Sequence, residues 1–174
     1  RNELTRPEAL VGRFREFFEE IGADTSIAEI FNKDYQLTLS DHIEFVKTVG
    51  GVDYYDDSFS ASYPSLEVAI KSFPEKRVFL IAGGKDRGLD LTPIKRAIFK
   101  SPNLEKAILI GETRHKLAEN EDPNKFILTD TLEEAVLTAK NLAENTKNAI
   151  VLLSPGAASF DMFKDFYDRG DQFQ

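Results

Sequence analysis

From residue 44 onward the spacing of apolar and polar positions points to strands first and helices between them. Phe45, Val46 and Val49 precede Gly50-Gly51, and Val52, Tyr54 and Tyr55 follow it. Two β-rich runs around a pair of glycines predict a hairpin, because glycine accepts the positive φ angles of a two-residue turn. Short apolar runs then alternate with helical patterns. The strands are expected at Val78 to Ala82, Ala107 to Ile110, Phe126 to Leu128 and Ala149 to Leu153. The helices are expected around Ser65, from Leu91 to Phe99, from Glu112 to Ala118, from Leu132 to Glu144, and from near Ser159. Strands that are apolar almost throughout belong to a parallel sheet covered on both faces.

The first forty residues obey a different rule. Thr5-Arg6-Pro7-Glu8 has the form of a capping box, with proline where its missing N–H costs nothing. Leu10, Val11, Phe14, Phe17, Phe18 and Ile21 recur at helical spacing, and Gly22 supplies a left-handed stop. A shorter helix is expected from Ser26 to Phe31. The predicted organisation is therefore residues 1–39 as terminal helices of a preceding domain and residues 40–174 as an α/β domain. The fold class is a Rossmann-like open, mostly parallel sheet with helices on both faces, preceded by a short helical segment and a β-hairpin.

Composition narrows the functions. The 174 residues carry 22 Lys and Arg against 30 Asp and Glu, a formal charge of −8. No basic stripe offsets that charge, so nucleic acid is not an expected partner. A 41% apolar fraction with 14 Phe supplies a core. No apolar run approaches the ~20 residues of a membrane span, and Arg1 to Glu8 lacks the apolar stretch of a signal peptide. A soluble, cytoplasmic, monomeric protein is expected. The absence of cysteine excludes a disulfide framework and a thiol nucleophile, and two histidines, His42 and His115, make a histidine-based metal site improbable.

Ligands of an open parallel sheet bind beyond the carboxyl ends of its strands. Residues 56–64, Asp-Asp-Ser-Phe-Ser-Ala-Ser-Tyr-Pro, bring carboxylates and hydroxyls that suit a ribose or a metal-bound phosphate, and equally suit a turn and a helix cap. Residues 82–90, Ala-Gly-Gly-Lys-Asp-Arg-Gly-Leu-Asp, combine glycines that admit close approach with Lys85 and Arg87 as cations for a carboxylate or phosphate. This turn matches neither G-x-G-x-x-G nor G-x-x-x-x-G-K-[ST], so it is neither a dinucleotide fingerprint nor an NTPase phosphate loop. Residues 152–161, Leu-Leu-Ser-Pro-Gly-Ala-Ala-Ser-Phe-Asp, read as a strand, small residues and a helix start, where free N–H groups with Ser154 and Ser159 suit an anion. Capping by Ser159 is the alternative use. Phe160, Phe163, Phe166 and Tyr167 are expected to pack on the sheet. The Gly111 to His115 turn shows no triad chemistry and is set aside.

Taken together, residues 52–58, residues 81–90 and the stretch Leu-Leu-Ser-Pro-Gly-Ala-Ala-Ser-Phe-Asp-Met-Phe-Lys-Asp-Phe-Tyr-Asp-Arg-Gly-Asp-Gln-Phe resemble three ordered motifs of the Mur ligases. The likeness covers roughly residues 40–174 as the family's C-terminal domain, and residues 1–39 resemble the last helices of its central domain. It implies an ATP-dependent amide ligase in which the central domain carries the phosphate loop and magnesium. That domain activates UDP-N-acetylmuramoyl-L-alanine as an acyl phosphate, which the amine of D-glutamate attacks. A stretch without the phosphate loop would not be active alone. By the same likeness, Arg87, Ser159 and Phe166 fall at amino-acid-binding positions, and Asn2, His42 and Asp57 at nucleotide-binding positions. The cofactors implied are ATP and magnesium, and the ligands are D-glutamate, ATP or ADP, and UDP-muramoyl-alanine.

Departures bear mainly on the substrate. Asp41-His42 stands where the family often has His-Arg, Ala61 replaces a threonine, and Arg87 replaces a lysine, turning a point charge into a planar fork. These substitutions also suit a non-catalytic nucleotide- or amino-acid-binding module derived from the same domain. In either case the working premise is that the Arg87 guanidinium and the Ser159 hydroxyl share one crevice.

Overall fold

The computed structural model describes residues 42–174, with residues 15, 19 and 20. The chain divides into two compact units, Arg1–Asp41 and His42–Gln174, and the second carries the sheet. The capping box at Thr5, the helices expected up to Phe31, and Asn2 lie outside the described residues.

The hairpin forms as the sequence predicts. Strands β1 (Glu44–Val49) and β2 (Val52–Asp56) pair antiparallel with Val49 opposite Val52. Gly50 and Gly51 take φ angles of +61° and +83°, the left-handed pair that a type I′ turn requires. The chain then runs through α1 (Tyr63–Lys71), β3 (Arg77–Gly83), α2 (Thr92–Lys100), β4 (Leu104–Ile110), α3 (Arg114–Ala118), β5 (Phe126–Leu128), α4 (Leu132–Ala143), β6 (Ala149–Leu153) and α5 (Phe166–Phe173). The six-stranded sheet has the order β1-β2-β6-β3-β4-β5, and every pairing beyond the hairpin is parallel.

Because β3, β4 and β6 are central, both of their faces must be apolar, and the core divides accordingly. Leu80, Ala82, Leu109 and Leu152 face one way, against Leu66 and Ile70 of α1, Ile94 and Ile98 of α2, and Leu117 of α3. Phe79, Ile81, Ile108, Val151 and Leu153 face the other way, against Leu132, Ala135 and Ala139 of α4 and Phe173 of α5. Alanines on α4 let that helix lie close to the strands. Burial of this kind stabilises at roughly 25 cal/mol per Å² of apolar surface, which makes the strand ends a rigid platform for the turns that leave them.

One expectation needs correction. No helix begins near Ser159. Residues 154–165 form turns, and α5 starts at Phe166, capped by Asp165 Oδ1, which accepts from Asp168 N at 2.8 Å. Ser159 instead opens a single turn, its carbonyl accepting from Met162 N and Phe163 N at 3.1 and 3.0 Å. Residues 157–158 lie alongside the β3 turn, where the Lys85 amide donates to Ala158 O at 2.8 Å, and that pairing is incompatible with helical backbone there. Phe160 and Tyr167 do not pack on the sheet either. Both are 69% exposed, while Phe163 alone of the four rings packs against the core.

Candidate functional site

Three turns at the carboxyl edge of β3, β4 and β6 are bound backbone to backbone. After β3, Gly83 and Gly84 adopt φ angles of +107° and +153°. Gly83 N donates to Pro155 O at 2.9 Å, and Lys85 N reaches Ala158 O, so the turn lies directly on residues 155–158. A Cβ on Gly84 would overlap Ala158 O and sit 3.3 Å from Ala157 Cβ. On the other side, Gly84 N donates to Thr113 Oγ1 and Thr113 N donates back to Gly84 O, both at 3.0 Å. Thr113 is buried, so this reciprocal pair satisfies groups that water does not reach.

Glu112 completes the cradle around the β3 turn. Its carboxylate accepts from Lys85 Nζ at 2.6 Å and from Asp86 N at 3.1 Å, and Lys116 pairs with Asp86. These contacts lower the pKa of Glu112, chiefly through the Lys85 ammonium, and lower that of Asp86, chiefly through Lys116. Asp86 Oδ1 also accepts from Gly88 N at 2.8 Å. Lys85 is thus committed to Glu112. Arg87, between two held residues, is exposed and makes no hydrogen bond or ion pair among the described residues.

The β6 turn contributes Ser159 and Asp161. Ser159 is buried. Asp161 Oδ2 accepts from Glu112 N at 2.9 Å, while its buried Oδ1 has no partner among the described residues. The segment holding Ser159 is therefore tied to the segment holding Arg87 through Ala158 and through Asp161 and Glu112.

The β2 turn forms the other half. Asp57 is 1% exposed, its carboxylate accepts from Ser154 Oγ at 2.7 Å, and its amide donates to Leu153 O at 2.7 Å. Burial pushes its pKa up to about 7, reinforced by the neighbouring Asp56 charge and opposed by the Ser154 and Ser60 hydroxyls and the Arg169 cation. Its carboxyl thus points inward. Asp56 and Ser58, by contrast, line a shallow pocket of about 160 Å³ with His42, Glu44, Phe59, Phe166, Tyr167, Gly170, Asp171 and Gln174. His42 stacks on Phe59 with ring centres 4.4 Å apart, and Phe59 meets Phe166 edge-on at 5.0 Å. Of the residues singled out from the sequence, His42 and Phe166 meet in this pocket, while Arg87 and Ser159 belong to the adjoining β3 and β6 turns.

Sequence reasoning missed Arg169, which is fully buried and donates to both the β2 and β6 turns. The signal was present: Arg169 lies on the Phe166, Gly170 and Phe173 stripe of α5, where a charge must be buried. It also missed Glu112 and Thr113 in the turn that had been set aside, because their partners are remote in sequence. Among the described residues, no group of three or more His, Cys, Asp or Glu is placed to hold a metal ion, and no helix is long and apolar enough to cross a membrane.

An open, mostly parallel sheet whose glycine- and serine-rich turns meet at its carboxyl edge defines an α/β domain of the open-sheet class. Sequence comparison makes that class specific, and the chain belongs to the Mur ligase family. It is 36% identical over 137 residues to the UDP-N-acetylmuramoylalanine–D-glutamate ligase of Aquifex aeolicus, covering 78% of this chain and 32% of that protein. The ligases of the same name from Pelodictyon phaeoclathratiforme and Bdellovibrio bacteriovorus are 42% and 40% identical, over 75% and 78% of this chain and 27% and 29% of theirs. The chain spans about a third of the length of the curated relatives it matches. A crystallised Haemophilus ducreyi domain, named for a UDP-N-acetylmuramate:L-alanyl-gamma-D-glutamyl-medo-diaminopimelate ligase, superposes with a TM-score of 0.49 at 13% identity, over 65% of this chain and 86% of that one. No family model matches.

Proposed function

We propose that this chain is the substrate-closing, C-terminal part of an ATP-dependent amide ligase that joins D-glutamate to UDP-N-acetylmuramoyl-L-alanine in cell-wall precursor synthesis. The observation that carries this reading is the joining of the Arg87 and Ser159 segments at one sheet edge, in a chain matching ligases of that name. Arg87 is the cation left over after Lys85 is neutralised, and Ser159 carries a hydroxyl on the β6 turn to which the β3 turn is bound. A dicarboxylate amino acid requires that combination, a cation with neutral donors close by. Phe166, the third amino-acid-binding position by the family likeness, lies in the pocket with His42 and not beside Arg87.

On the nucleotide side, His42 is the exposed group, and Asp57 acts by anchoring its turn to Ser154. In this reading, ATP and magnesium are held mainly by the central domain of the ligase. This chain contributes positioning, which holds the amine for attack on an activated carboxylate, and is inactive by itself.

Steady-state kinetics on the native-length polypeptide test this. Arg87→Ala should raise the KM for D-glutamate about 10- to 100-fold, the worth of one charged hydrogen bond, and leave the KM for ATP within about threefold. Equal effects on both substrates would remove Arg87 from the amino-acid site.

A further inference from the structure

The guanidinium of Arg169 has no exposed surface and divides its donors between two loops. Nε donates to Ser58 Oγ at 3.0 Å and Nη2 to Ser58 O at 2.7 Å, while Nη1 donates to Ala157 O at 3.0 Å. Ser58 directly follows Asp57 in the β2 turn, and Ala157 stands two residues before Ser159 in the β6 turn. The Ser58 hydroxyl donates onward to Phe166 O at 2.8 Å, so the clamp also fixes the start of α5. Gly170 makes this approach feasible, since a Cβ there would lie 2.8 Å from Asp56 Oδ2 and 3.4 Å from Ser58 Cβ.

Packing alone does not account for a cation here. Burial lowers the Arg169 pKa to about 10, and the carboxylates of Asp161, Asp56 and Asp57 pull it back up. An apolar side chain of similar volume would fill the space without that desolvation cost. What arginine adds is a rigid planar fork able to serve several acceptors at once, which a lysine ammonium on a flexible stem cannot reproduce.

We propose that Arg169 is a positioning residue that holds the nucleotide-side turn, residues 56–60, and the amino-acid-side turn, residues 154–159, at a fixed separation, so that both substrates are held in register for attack. This rests on the ligase reading above. It separates Arg169 from the groups that touch ligand, because the side chain has no exposed surface and each of its three nitrogens donates within the protein.

The test is made on the native-length polypeptide with Arg169→Lys, Arg169→Met and Ser58→Ala, measuring the KM for D-glutamate, the KM for ATP and kcat, with the folded fraction followed by circular dichroism. Arg169→Lys should raise both KM values about tenfold in the molecules that remain folded, as expected when turns shift by a fraction of an ångström. Ser58→Ala removes one acceptor and should move both in the same direction by about two- to threefold. A purely structural role lowers the folded fraction, and with it the apparent kcat, while leaving both KM values unchanged; that result overturns the proposal. If neither Arg169 variant folds, unchanged KM values in Ser58→Ala overturn it equally. A wild-type polypeptide that ligates no D-glutamate overturns the ligase reading and this proposal with it, and is distinguished from an active wild type whose KM values ignore residue 169.

Discussion

Replacing Asp57 by asparagine should make the domain more stable at high pH and change the shape of its stability curve. The carboxyl group is 1% exposed and titrates at about 7 instead of 3.8, mainly because burial disfavours its charge. The folded state therefore holds this proton more tightly than the unfolded chain does. Whatever Asp57 contributes is complete below pH 3.8, declines as pH rises toward 7, and is fully lost above that value. At about 1.4 kcal/mol per pH unit, ionisation costs the fold on the order of 4 kcal/mol. Asparagine has nearly the same shape and never ionises. Any difference in how its amide bonds to Ser154 is independent of pH and cancels when one protein is compared with itself across pH. Urea unfolding of both proteins at pH 3.5, 5.5, 7 and 8.5 measures the gap directly. The stability of Asp57→Asn relative to the parent should rise by roughly 3–4 kcal/mol between the lowest and highest pH, most of it between pH 4 and 7. Two parallel curves would refute the buried, proton-holding carboxyl.

Two other substitutions probe the joints of the site. Gly111 has a φ of +71°, and a Cβ there would overlap Asp161 Oδ2 and lie 2.6 Å from Gly84 Cα. Gly111→Ala should destabilise by about 2–5 kcal/mol, from left-handed strain and overlap with backbone. A urea midpoint equivalent to less than about 0.5 kcal/mol of change would show that the turns are not packed as described. Ser154→Ala removes a hydroxyl that lowers the Asp57 pKa, so the Asp57 midpoint, followed by carbon-detected NMR, should move above 7. A midpoint that stays or falls would mean that Ser154 does not donate to the carboxylate.

The hairpin and the central strands were legible because each carried a local signal: Gly50-Gly51 for the turn, and an unbroken apolar run for Ala149–Leu153, whose bounds match the structure. The last helix was misplaced because Phe160, Phe163 and Phe166 imitate helical spacing, while Ala158 is bridged to Lys85 of the β3 turn, a partner far away in sequence. The local cap at Asp165 with Asp168 was a truer marker than the aromatic spacing. For the site, residue types near strand ends were readable. The Arg169 clamp and the Glu112 cradle were not, since each works through hydrogen bonds spanning 12 to 111 residues.

Titration of isotope-labelled protein with D-glutamate, followed amide by amide, tests the central claim most directly. The account predicts that the largest shifts fall on residues 83–88 and 154–161 together, that they saturate at one common concentration, and that Arg87→Ala weakens both sets equally. Shifts confined to one of those turns, or scattered over the sheet's opposite edge, would contradict a shared amino-acid site.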